Sequence, residues 1–147
     1  MEKKYTTKNF EETQKIGEKF AKQVLKSAPQ KSAIVLGLQG NLGGGKTTFL
    51  QGFAKGLGVK DKVLSPTFVI LKRFKITNSK FSNFYHIDCY RLKNHKDILE
   101  LDFKEIIKDP KNIVAIEWPE RIKKALPKKN ILIRFKFIDE KTREIII

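Results

Sequence analysis

The stretch Gly40-Asn41-Leu42-Gly43-Gly44-Gly45-Lys46-Thr47 has the spacing G-x-x-x-x-G-K-[ST], which suits a polyphosphate. Glycine at positions 40 and 45 lets the backbone turn and approach a phosphate more closely than a Cβ would allow. Amide N–H groups along the loop then point at the anion, aided by the dipole of a helix opening at Lys46. Lys46 would reach the β- and γ-phosphates, and the Thr47 hydroxyl would take one position on a magnesium ion. The competing reading is a glycine-rich turn with an exposed lysine. It is disfavoured by the flanks, a short apolar run before the loop and a helical stripe after it.

Such a loop needs a carboxylate for the metal and a second group to orient the attacking water. In α/β sheets ligands sit beyond the carboxyl ends of central strands. Two acids suit that place. Glu117 ends the apolar run Ile113-Val114-Ala115-Ile116, and Asp88 follows Phe84-Tyr85-His86-Ile87, with His86 and Asp88 alternating onto one strand face. One would hold the metal and the other would act as base, and the residues alone leave the assignment open. Blander roles compete: a strand-end ion pair for Glu117, and pairing with Arg91 or a turn cap for Asp88. His86 reads first as a satisfied structural histidine. Thr67, after Pro66, is either a turn hydroxyl or a switch hydroxyl that senses the γ-phosphate. Trp118 and Phe68 stand next to these positions, available for ring stacking, a partner contact or core packing.

The elements that must position these groups follow from periodicity. Asn9 and Glu12 resemble a capping box opening a helix with Phe10, Thr13, Ile16, Phe20, Val24 and Leu25 on its inner stripe, ended by Ala28-Pro29. The run 33–38 is apolar throughout, as expected of a strand covered on both faces. Phe49, Leu50, Phe53, Ala54 and Leu57 mark the inner side of the next helix, with Gly58 placed to stop it. Residues 68–76 and 83–91 read as an antiparallel strand pair about the turn Thr77-Asn78-Ser79. Residues 93–108 read as one or two short helices, 113–116 as a second central strand, and 131–137 with 143–147 as a closing hairpin. The predicted order is α-β-α-β-β-α-β-β-β: an α/β P-loop NTPase-type sandwich with a mixed, partly antiparallel central sheet.

At 147 residues the chain is expected to be one domain, 1–147. Its polar start reads as carrying no signal peptide, and no apolar run approaches the ~20 residues of a membrane span. A single cysteine, Cys89, excludes an internal disulfide and suits a reducing cytoplasm, where it reads as a small buried strand residue. The net charge of +15 raises the question of nucleic acid. Of the 31 basic residues, only Arg73, Arg91, Arg121, Arg134 and Arg143 are arginine. A lysine bias on solvated faces is therefore weighed slightly above a true polyanion surface, the densest basic stretch being 121–136.

Four motifs stand in one order: the loop through Thr48, then Ser65-Pro66-Thr67-Phe68, His86-Ile87-Asp88-Cys89-Tyr90-Arg91-Leu92, and Ile116-Glu117-Trp118-Pro119-Glu120. Together they resemble the TsaE (YjeE) family of bacterial tRNA threonylcarbamoyladenosine biosynthesis, a likeness that also takes in Thr13 and Arg143. The resemblance implies an ATPase using ATP and Mg2+, with nucleotide held by Asn41, Leu42, Gly43, Gly44, Gly45, Lys46, Thr47, Thr48 and Thr13. It implies Thr67 as the switch threonine, Asp88 and Glu117 as essential acids, and Thr47, Asp88 and Glu117 around the metal. The implied partners are the TsaD–TsaB complex, with tRNA met indirectly or through a basic surface, and no membrane. Departures are small: Gly44 stands where alanine or serine is usual, Cys89 replaces an aliphatic residue, and Asp102 stands where glycine is common. A small-molecule kinase on the same loop is the alternative, weakened by the absence of an arginine-rich lid.

Overall fold

The computed structural model describes residues 2–41, 43–64 and 70–147. Seven strands and four α-helices are found among them, in two compact units. The expected Ser65, Pro66, Thr67 and Phe68 motif and Leu42 lie outside the described residues.

The first unit comprises Met1–Ser27, Gly40–Ser65 and Ile133–Ile147. Helix α1 (Phe10–Leu25) opens as predicted, with the Asn9 side chain accepting from the Glu12 N–H and the Glu12 carboxylate accepting from the Lys8 N–H. Its buried line is Thr13, Gly17, Ala21 and Val24. Phe10, expected on the inner stripe, is 71% exposed. As the first helical residue it sits beside the cap, ahead of the turn that meets the core.

Helix α2 (Lys46–Gly56) packs on α1, with Phe20, Phe49 and Phe53 forming a ring cluster at centroid separations of 6.0–6.3 Å. The close approach depends on small residues at the seam. A Cβ at Gly52 would stand 1.9 Å from the Gln14 carbonyl oxygen, so only glycine fits. Gly58 ends α2 as anticipated, its N–H donating to the Lys55 carbonyl while the Val59 N–H donates to the Ala54 carbonyl, the two hydrogen bonds of a Schellman cap.

A strand that sequence periodicity missed, β1 (Lys4–Thr7), pairs antiparallel with the terminal strand β7 (Arg143–Ile146). β1 is only four residues with one buried position, too short to announce itself. β7 also pairs antiparallel with β6 (Ile131–Phe137), giving the predicted closing hairpin.

The second unit comprises Ala28–Gln39 and Pro66–Leu132. Strand β2 (Ile34–Gln39) lies parallel to β5 (Asn112–Glu117), and β5 lies parallel to β4 (Asn83–Asp88). The edge strand β3 (Leu71–Lys75) joins β4 antiparallel, which makes the sheet mixed as expected. Every residue of β5 is buried, the signature of a central strand covered on both faces. Val35, Ile87, Val114 and Ile116 pack with Ile98, Phe103 and Ile106 of the short helices α3 (Lys96–Leu99) and α4 (Phe103–Lys108). Asp102, noted above as replacing a common glycine, has φ +57° and begins α4. That left-handed conformation explains the glycine preference, and aspartate tolerates it better than most residues.

Candidate nucleotide site

The phosphate loop leaves the carboxyl end of β2 and enters α2. Gly45 takes φ +99° immediately before the helix, a conformation that side-chain-bearing residues rarely adopt. A Cβ at Gly40 would meet the Phe135 carbonyl oxygen at 2.5 Å, so the first glycine is held by the hairpin behind it. The Gly44 N–H bonds the Asn41 carbonyl at 3.1 Å, tightening the loop into a turn. Lys46 is only 5% exposed and donates its Nζ to the Gly40 carbonyl, so its ammonium spans the loop. Thr47 and Thr48 lie half-buried in the first turn of α2. Asn41 and Gly43 are exposed on the loop's crest.

Two residues from distant parts of the chain flank this loop. Thr13 is buried in α1, shares a 2.7 Å hydroxyl–hydroxyl bond with Thr7, and lies 3.6 Å from where a Gly45 Cβ would stand. Arg143 donates from Nε to the Gly43 carbonyl at 2.7 Å and from Nη1 to the Asp139 carbonyl at 2.5 Å. Its guanidinium also lies over the Phe137 ring, 4.5 Å from the centroid. The Asp139 carboxylate closes this hairpin by accepting from the N–H groups of Lys141 and Thr142. Those backbone and hydroxyl donors, Lys141 first, hold it below the usual aspartate range.

In the second unit the register sets Asp88 of β4 opposite Glu117 of β5, and Glu117 opposite Leu38 of β2. The two expected acids therefore end neighbouring parallel strands. Asp88 Oδ1 accepts from the Tyr90 N–H at 3.0 Å, the turn cap weighed from sequence. Glu117 is 3% exposed, and its Oε2 lies 2.7 Å from Nε2 of His86, itself 1% exposed. His86 is thus a satisfied histidine, as read from sequence, and its partner is the acid. That the two meet was not visible from spacing alone, since 31 residues separate them.

Immediately after Glu117 the backbone of Trp118 turns left-handed at φ 60°, its N–H donating to the Leu38 carbonyl at 3.3 Å. A bulky residue in that region carries about 1–3 kcal/mol of strain, typical of functional turns. The Trp118 ring packs on Tyr90 at 5.0 Å between centroids, and Arg121 stands over Tyr90 at 5.9 Å. Cys89 is buried as expected. Burial, with Asp88, Glu120 and Glu117 adding to it, pushes its thiol up to about 12.

A glycine loop joining a buried parallel strand to a helix, in a mixed α/β fold, defines the P-loop NTPase class. A family model described as threonylcarbamoyl adenosine biosynthesis protein TsaE matches residues 7–145, and the chain belongs to the TsaE family. The tRNA threonylcarbamoyladenosine biosynthesis protein TsaE of Bacillus subtilis is 38% identical over 142 residues, covering 97% of this chain and 82% of that protein. The protein of the same description from Haemophilus influenzae is 32% identical over 126 residues, covering 86% of this chain and 77% of that one. The crystal structure of Bacillus subtilis YdiB superposes with a TM-score of 0.72 at 32% identity, over 99% of this chain and 84% of that one. No helix among the described residues is long and apolar enough to cross a membrane.

Proposed function

We propose that residues 1–147 act as one cytoplasmic P-loop ATPase domain that binds ATP with Mg2+ and hydrolyses it to turn over the TsaD–TsaB complex in tRNA threonylcarbamoyladenosine synthesis. The observation that carries this reading is the loop itself: a glycine turn braced from behind, opening a helix, with a buried lysine spanning it. Loop and helix amides, with Asn41 through Thr48, would take the phosphates, and Lys46 would exchange its Gly40 contact for phosphate oxygens. Thr13 and Arg143 flank the loop and hold its shape.

The donor chemistry suits magnesium. Thr47 offers a hydroxyl and Asp88 and Glu117 offer carboxylates, the hard oxygens that this ion takes, commonly with one or two protein acids. Such an ion, when bound, neutralises charge on the phosphate oxygens. The chain's own contribution is a carboxylate that accepts the proton of attacking water, a part for which Glu117 is favoured because it is buried and held by a partner. Thr67 is assigned the γ-phosphate-sensing role by family motif. tRNA is met through the partner complex or a basic surface.

The decisive measurement is phosphate release from ATP with and without TsaD and TsaB. Release that rises when both are added supports the proposal. Transfer of the γ-phosphate to a metabolite, with no stimulation by those proteins, would replace it with a kinase.

A further inference from the structure

We infer that His86 is a positioning residue that fixes the Glu117 carboxylate in its working orientation and reserves one of its two oxygens. The inference rests on the hydrolytic reading above. Both side chains are almost wholly buried, 2% and 4% exposed, and Nε2 meets Oε2 at 2.7 Å. Among the described residues His86 is the only side-chain hydrogen-bond partner of this carboxylate. An ionised carboxylate only accepts, so in that state Nε2 carries the hydrogen and donates it.

The strands make this bond rigid. His86 pairs with Ala115 and Asp88 with Glu117 in the parallel register of β4 and β5, so imidazole and carboxylate meet diagonally on one face. The residue opposite His86 on that face is the small Ala115. With Oε2 engaged, Oε1 is the oxygen offered to water or metal. A carboxylate on a single-bond swivel could otherwise present either oxygen, or turn away. Outer partners of this kind commonly hold reactive carboxylates in place, and their removal costs about 10–100-fold in activity or metal affinity.

The test uses the full-length protein and two variants. His86→Leu removes the donor; His86→Gln keeps an N–H at similar reach. We expect His86→Leu to lower kcat for ATP about 10–100-fold with KM for ATP little changed, and His86→Gln to recover most of the loss. A second readout needs neither nucleotide nor metal. In nitrogen-15 NMR of the metal-free protein, the His86 Nε2–H proton should resonate far downfield and move upfield in Glu117→Gln, which puts a neutral amide in place of the carboxyl group. Wild-type turnover in folded His86→Leu, or a Nε2–H resonance indifferent to Glu117→Gln, overturns the inference. So does a His86→Gln variant as impaired as His86→Leu. If His86→Leu does not fold, His86→Gln and the NMR signature decide. Wild-type protein that releases no phosphate with TsaD and TsaB present refutes the hydrolytic reading instead, and leaves the NMR result to judge the pairing.

Discussion

Lys46 and Glu117 are both buried charged groups, yet their removal should have opposite consequences. Lys46 supplies positive charge to the loop, so Lys46→Ala should weaken ATP binding by tenfold or more, about 1.4 kcal/mol, as read by calorimetry. Glu117 ends a strand outside the loop, so Glu117→Ala should leave nucleotide affinity within a few fold while turnover falls about 10²–10⁴-fold. A large loss of affinity in that variant would recast Glu117 as mainly a metal ligand. Cys89 provides a test by pH. Its folded thiol lies near 12 against an ordinary 9.0, so folding favours the protonated form. The stabilisation is complete below pH 9, and is lost as pH rises through 9 toward 12. Alkylation of the folded protein at pH 8 should therefore be slow, and rapid once denaturant is added.

Among the elements, the α1–α2 seam and the β6–β7 hairpin do the positioning. Gly52→Ala would drive a methyl into the Gln14 carbonyl, so α1 must shift from α2. We expect about 1–3 kcal/mol of destabilisation by urea denaturation, with activity reduced because Thr13 shifts with its helix. Arg143 reaches from the end of the hairpin to the Gly43 carbonyl. Arg143→Ala should raise KM for ATP severalfold while costing little thermal stability, since the half-buried side chain bonds loop and hairpin carbonyls and does not fill the core. Equal losses of KM and stability would make it a structural residue alone. Much at this scale was legible beforehand: the Asn9 cap, the Gly58 stop, the all-apolar β5 and the closing hairpin each follow from local pattern. β1 was not, because four residues with one buried position carry no period.

For the molecule as a whole, the proposal of one domain predicts a single cooperative thermal transition. ATP with Mg2+ should raise its midpoint for the wild type and not for Lys46→Ala, because a ligand stabilises only the state that binds it. Two separated transitions, with only one responding to nucleotide, would divide the chain into independent parts.

The chain's own order of residues determined the loop, the helix after it, the buried strands and the two acids at strand ends. These are local matters: glycine spacing sets where a backbone can turn, and unbroken apolar runs mark what must leave water. Tertiary structure alone decided which groups on different elements touch. Strand register placed His86 beside Glu117, hairpin closure brought Arg143 to Gly43, and β1 delivered Thr7 to Thr13. Partners separated by 31 and 100 residues leave no periodic trace in a sequence, because a hydrophobic pattern says that a strand is buried but not which residue of another strand it will face.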